Sequence, residues 1–256
     1  MLILLPPSEG KASPTRGKPL DLAALSHPVL TDVRRRVIDE LGVVSARPDA
    51  AEVLGIGHTQ LDLLARNRAL ETAPTARADR VYTGVLYDAL GFGSLSAAAR
   101  RRSATRIAVT SSVFGLVRPS DRIPAYRLSG DTTLPGLGPV AGIWRDVLGD
   151  AVRDSLGDGL LVDLRSGTYG AFWRPPADLA RRVATVRVLH ESNGKRIVVS
   201  HFNKATKGRI VRALLEDGRN PRTPAALVAV LRDLGWAVEE APGPKGTQLD
   251  VVVAEV

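Results

Sequence analysis

Residues 107–130 read IAVTSSVFGLVRPSDRIPAYRLSG, and this stretch decides the fold. The run Ile107-Ala-Val-Thr110 is a short apolar strand. Residues 111–130 form neither a plain Ser/Gly/Asn loop nor a helix with apolar residues at i, i+3 and i+4. Arg118, Arg122 and Arg127 are set among Asp121, Tyr126 and two prolines, with Gly115 and Gly130 as punctuation. Arg118-Pro119 and Ile123-Pro124 each push the residue before proline toward extended geometry, so the backbone holds a defined irregular shape. Rigid backbone carrying forked guanidinium groups suits phosphate or carboxylate. The bland alternative is a polar connection tied by internal Arg–Asp pairs; in the site reading one of Arg118 and Arg127 pairs with Asp121 and orders the segment while the other stays free for a ligand.

A strand entering a polar loop recurs elsewhere. Residues 1–5 form a strand that runs into Pro6-Pro-Ser-Glu-Gly-Lys11, and 159–163 form a buried strand that runs into Leu164-Arg-Ser-Gly-Thr-Tyr169. Helical spacing covers 28–41, with Val29, Leu30, Val33, Val37, Ile38 and Leu41 on one face. It returns at 49–55, 58–67, 94–102, 140–156, 205–216 and 223–234, the last opened by Thr223-Pro224 in cap and first-turn positions. Two hairpins are expected, 184–189 with 196–200 across Ser192-Asn-Gly194, and 236–239 with 248–253 through Gly243-Pro-Lys-Gly246. Strands and helices interleave without repeat or low-complexity linker. The expected fold is mixed α/β, one compact domain over residues 1–256, with a central mixed sheet flanked by helices and a basic cleft at the strand ends. In open α/β sheets that is where ligands bind.

Composition narrows the function. Thirty-five basic residues against 27 acidic give a net charge of +8, which favours polyanionic partners, nucleic acid being the usual one. Only six of the basic residues are lysines, a bias that coding composition produces as readily as function. Arg34-Arg-Arg36 beside Asp32, Asp39 and Glu40 reads as a solvated helix face, as do Arg100-Arg-Arg102 and Arg181-Arg182. The absence of cysteine excludes disulfides, thiolate metal sites and a cysteine nucleophile. Four histidines without HExxH spacing give no expected metal site. PPSEGK lacks the GxxxxGK[ST] spacing of a phosphate loop, and no motif implies a cofactor. No run approaches the ~18–20 apolar residues of a membrane span. The first apolar run carries no basic segment before it, so a first strand entering a loop is expected there rather than a signal peptide. The expected location is cytoplasmic, with no membrane and no obligate protein partner.

Pooled at the strand ends, the loops would gather Ser8, Lys11, Tyr82, Arg118, Asp121, Tyr126, Arg127, Ser166, Tyr169, His201 and Lys204. Lys11 comes directly after Gly10 and either meets a phosphate or forms a surface pair with Glu9. Tyr82, Tyr126 and Tyr169 either serve the site, stacking bases or holding a proton, or pack half-buried with satisfied hydroxyls. Lys204, Lys207 and Arg209 open the 205–216 helix at its positive end, where cations are unfavourable unless an anion joins them or solvent screens them. His201 is either a general base near neutral pH or a structural residue.

In this order and spacing the pieces resemble the YaaA family of bacterial peroxide-stress proteins. The residues that carry the resemblance are the opening strand with its Ser/Pro/Lys loop, Tyr82-Thr-Gly84, Phe114-Gly-Leu-Val-Arg-Pro-Ser-Asp121, Pro124-Ala-Tyr-Arg127, Ser166 with Tyr169, and Ser200-His-Phe-Asn-Lys-Ala-Thr-Lys-Gly-Arg209. The first loop reads PPSEGK where many relatives have Ser-Pro-Ala-Lys, which leaves Lys11 as its matched position. The resemblance implies a basic cleft, binding of double-stranded DNA, and a role in limiting iron-dependent oxidative damage to DNA. It also implies a helix-hairpin-helix-like element, mapped onto Phe114-Gly-Leu-Val-Arg-Pro119 and its flanks.

Two readings stand. In the first, the protein grips the backbone of duplex or distorted DNA without sequence preference through Lys11, Arg118, Arg127, Lys204, Lys207 and Arg209. The basic runs lack the interleaved aromatics of a single-strand platform. In the second, it is an enzyme on a nucleotide-like or other small anionic substrate, with Tyr82, Asp121, Ser166, Tyr169 and His201 as candidate catalytic groups. A weaker third, metabolite or iron handling, finds no dense ligand cluster in the sequence.

Overall fold

The computed structural model describes residues 1–192, 195–197, 200–243 and 246–254. The turns expected at Asn193-Gly194 and Pro244-Lys245 lie outside the described residues. In chain order the strands are β1 (Leu2–Leu5), β2 (Ala76–Arg77), β3 (Ile107–Ser111), β4 (Gly115–Val117), β5 (Arg122–Ile123), β6 (Thr133–Leu134), β7 (Gly138–Pro139), β8 (Leu161–Asp163), β9 (Val183–Ser192), β10 (Lys195–Ile197), β11 (Ala237–Gly243) and β12 (Gly246–Ala254).

Eight of them form one mixed sheet in the order β11-β12-β9-β8-β1-β3-β4, with β10 paired to β9. The five inner strands, β12 to β3, run parallel, while β4, β10 and β11 pair antiparallel. β1, β3 and β8 are buried along their whole lengths. This is why LILL, IAVTS and LVD are near-continuous apolar runs rather than alternating ones. Helices cover the sheet, and their inward residues join one continuous core.

One close approach fixes the helical layer. Gly208 of the Ser200–Asp217 helix lies against the Leu86 carbonyl of the Val85–Leu90 helix, where any Cβ would collide. That glycine lets the two helices pack backbone to backbone.

Several expectations change. The 140–156 helix is two helices, Val140–Arg145 and Leu148–Leu156. The helix expected from residue 205 begins at Ser200 and extends to Asp217, and it absorbs the end of the expected 196–200 strand. The segment assigned to a helix-hairpin-helix-like element contains an edge strand instead. Ser111 Oγ accepts from Phe114 N at 3.0 Å, Gly115 turns the chain at φ 72°, and β4 folds back on β3. No helix flanks it directly, since strand β3 precedes it and a turn at 119–120 comes after it.

Candidate functional site

The order of the inner strands creates the cleft. From β1 the chain goes to β3 on one side, whereas from β8 it goes to β9 on the other. The loops after β1 and β8 therefore diverge, and a crevice opens between their carboxyl ends, as at the ligand sites of doubly wound sheets. A cleft of about 540 Å³ occupies this position. Pro6 to Gly10 form one wall, Ser166, Thr168 and Tyr169 face them, Thr83 to Tyr87 contribute a third side, and Lys204 reaches the rim. A second cleft of about 400 Å³ lies across the first loop, shares Glu9 and Gly10, and holds Lys11, Tyr126, Arg127 and Arg66.

The first loop is fastened from both ends. Ser8 Oγ donates to the Gly10 carbonyl at 2.5 Å and accepts from Thr83 N at 3.1 Å. Lys11 bridges Tyr82 as an isolated β pair, and Ala12 N donates to the Val81 carbonyl at 2.9 Å. The Lys11 side chain is thereby folded back under its own loop, donating to the Ser8 carbonyl at 2.7 Å. Its ammonium lies 4.0 Å from the Tyr126 ring centroid and 5.8 Å from that of Tyr82. Burial lowers its pKa to about 7, because carbonyls and ring faces replace water incompletely around the charge.

Beneath Lys11 runs a chain of hydroxyls. Tyr126 Oη is 2.8 Å from Ser111 Oγ and 3.1 Å from Tyr82 Oη. Both phenols are buried and pushed above the ordinary tyrosine value, chiefly by that burial. Tyr87 stacks on Tyr82 at 5.5 Å and donates to the Pro6 carbonyl at 2.7 Å. Tyr169, also raised by burial, lines the first cleft and packs on the buried Phe172 behind it. These groups remain neutral at physiological pH and act as hydrogen-bond donors or acceptors.

The other candidates divide. Arg127 stands at the second cleft, ion-paired to Glu9, with its Nε buried and unpartnered among the described residues. Lys204 is exposed at the rim and Arg209 is exposed further along the helix. Lys207 is turned inward instead. Its Nζ donates to the Leu164 carbonyl at 3.0 Å, and burial lowers its pKa against the opposing pull of Asp163. All three lie beyond the first turn, not at the helix's positive end. The backbone of His201 belongs to that first turn, but its side chain lies outside the described residues.

Arg118 and Asp121 leave the cleft altogether. Arg118 Nη1 donates to the carbonyls of Thr105 (2.7 Å) and Ile107 (3.3 Å), closing the end of the Ala97–Arg106 helix. Asp121 is not paired with either arginine side chain. Its carboxylate accepts from Arg118 N at 2.9 Å and from Ser26 N and Oγ at 3.2 and 2.8 Å. The Arg–Asp pair expected at Asp121 does not form; its partners are backbone N–H groups and the Ser26 hydroxyl, and both residues serve the structure of the segment.

Sequence reasoning missed three supports. Arg34, read as solvent-facing, is fully buried. It donates to the carbonyls of Phe114 (2.9 Å), Ser26 (2.7 Å) and Leu116 (2.9 Å), which fixes the base of the 111–130 segment. Arg165 holds Asp163 through two bonds of 2.9 and 2.8 Å and donates to the Tyr169 and Trp173 carbonyls. Burial opposes the Asp163 charge, but Arg165 outweighs it and keeps the carboxyl below its ordinary pKa. Ser111 is the third; its place at the carboxyl end of β3, before a polar loop, is the signal that points to it. Among the described residues no three His, Cys, Asp or Glu side chains converge as a metal would need.

The family model described as peroxide stress protein YaaA matches residues 1–241. The chain belongs to this family. A UPF0246 protein of Streptomyces coelicolor is 51% identical over the full length of both chains. One of Corynebacterium efficiens is 43% identical over 98% of this chain and all of its own. The YaaA match spans every wall of the two clefts, since their lining residues run from Pro6 to Lys204. Within this YaaA-family chain, no helix among the described residues is long and apolar enough to cross a membrane.

Proposed function

We propose that this peroxide-stress protein acts through a small anionic ligand of nucleotide-like size, bound in the paired clefts, with Lys11 as its acid–base group. The observation that carries the reading is the Lys11 ammonium over the Tyr126 ring, above a closed chain of hydroxyls. A cation meant only to grip phosphate is best left exposed and fully charged. Lys11 is instead sheltered and held near pH 7, the range in which a side chain both accepts and returns a proton. The clefts, about 400 and 540 Å³, have the size of small-molecule sites. Arg127 is the natural anion partner, since an incoming carboxylate or phosphate can replace Glu9 on it and reach its unused Nε.

Thermal-shift titration with a panel of nucleoside monophosphates and small carboxylates tests this. The expected result is a stabilising ligand whose effect disappears in Lys11→Met and weakens in Arg127→Gln. An effect that persists undiminished in Lys11→Met would sink the reading.

A second reading, non-specific binding of duplex DNA, draws support from the net charge of +8 and from Lys204 and Arg209, which stand exposed on one helix. Of the six cations assigned to phosphate from sequence, Arg118 and Lys207 are engaged with backbone carbonyls and Arg127 with Glu9. The duplex would therefore rest on the rim cations.

A further inference from the structure

We infer that a second anion site, distinct from the clefts at the strand ends, takes the phosphate groups of a small oligophosphate in the cavity between the Ala78–Val81 and Ala97–Arg106 helices. The cavity measures about 660 Å³ and is lined by Arg77, Arg80, Arg100 and Arg101, with Asp79 as its sole carboxylate among the described residues and Phe92 as an aromatic wall. Asp79 is committed to Arg77, which donates to it from Nε and Nη2 at 3.1 and 2.6 Å. Arg100 uses one donor, on the Gly93 carbonyl at 3.2 Å. Arg80 and Arg101 are exposed, and no hydrogen bond or ion pair holds either side chain among the described residues.

Four guanidinium groups facing one neutralised carboxylate repel each other across a concavity. Solvation alone asks only that arginines reach water, not that four of them, from β2 and two helices, line one shared space. Several phosphate oxygens would satisfy the free forks bidentately and cancel the repulsion. The volume suits a nucleoside diphosphate or triphosphate, with Phe92 offering a face to the base. Phe92 also ends a stack through Tyr87 (6.4 Å) and Tyr82 (5.5 Å) that reaches the hydroxyl chain under Lys11. Occupancy here is thus in contact, ring by ring, with the other site.

Isothermal titration with inorganic pyrophosphate, and then with ATP, tests the proposal. The wild-type protein should bind both. The double variant Arg80→Ala/Arg101→Ala should lose on the order of tenfold or more in affinity, with an unchanged melting temperature in the absence of ligand. The double variant Arg80→Lys/Arg101→Lys should keep part of it, and Lys11→Met should bind pyrophosphate as the wild type does. The inference is overturned if the wild type ignores pyrophosphate, if the alanine pair binds it normally, or if only duplex DNA responds to that pair.

Discussion

Lys11 Nζ stands 4.0 Å from the centroid of the Tyr126 ring, and the Tyr126 hydroxyl at the edge of that ring is hydrogen-bonded to both Ser111 and Tyr82. The ring thus has a cation on its face and two hydroxyls at its edge. Its position ties the loop after β1 to the end of β3, so the site and the sheet share one set of contacts.

The pH dependence of stability is set in part by Lys11. In the folded chain its pKa is lowered to about 7 from the ordinary 10.5. Between these values the unfolded chain binds more protons, so this group's contribution to stability rises with pH across the window. Below pH 7 both states are protonated and the full cost of burying the charge stands. Lys11→Met should therefore compare most favourably with the wild type below pH 7, with that advantage shrinking toward pH 10. Melting temperatures across this range check it, and a difference that stays flat with pH would rule it out.

Arg34 should behave as a core residue. Arg34→Lys removes the fork that reaches three carbonyls and leaves buried acceptors unpaired, at an expected cost of about 2–4 kcal/mol. Urea denaturation measures it. The neighbouring substitution Arg35→Lys, on the exposed side of the same helix, should change stability by no more than about 0.5 kcal/mol.

Gly115→Ala should be as damaging as a large core change. The residue sits at φ 72°, and a Cβ there would meet the Trp144 ring at 2.6 Å. Trp144 cannot yield freely, because its Nε1 donates to the Ser112 carbonyl at 2.7 Å. Backbone strain of about 1–2 kcal/mol and overpacking of about 1–3 kcal/mol act together. A calorimetric melting point within a degree of wild type would contradict this.

The duplex reading separates two cations that look alike in sequence. Lys204→Ala, at the rim, should weaken DNA binding and flatten the log–log salt slope by up to about 0.9, with stability unchanged. Arg118→Ala uncaps the Ala97–Arg106 helix and should lower stability while the salt slope stays as it was. Anisotropy titrations at several salt concentrations, paired with melting curves, report both. The opposite pattern would return Arg118 to the binding surface.

Sequence by itself determined the mixed α/β class, the buried strands and most of the helices, and it placed polar loops at the strand ends. Apolar runs such as LILL and IAVTS are the mark of buried strands, and polar loops at the carboxyl ends of parallel strands must emerge along one edge. Local pattern carries that much because burial periodicity and strand direction are short-range properties. Tertiary structure alone decided what each cation does. Arg34, Arg118 and Lys207 are engaged by backbone carbonyls of other segments, whereas Lys204, Arg80 and Arg101 stand exposed. Nothing in the neighbouring residues distinguishes these fates. A guanidinium or ammonium binds whichever unsatisfied oxygen folding brings within reach, and those oxygens lie on strands and helix ends whose positions the local sequence does not encode.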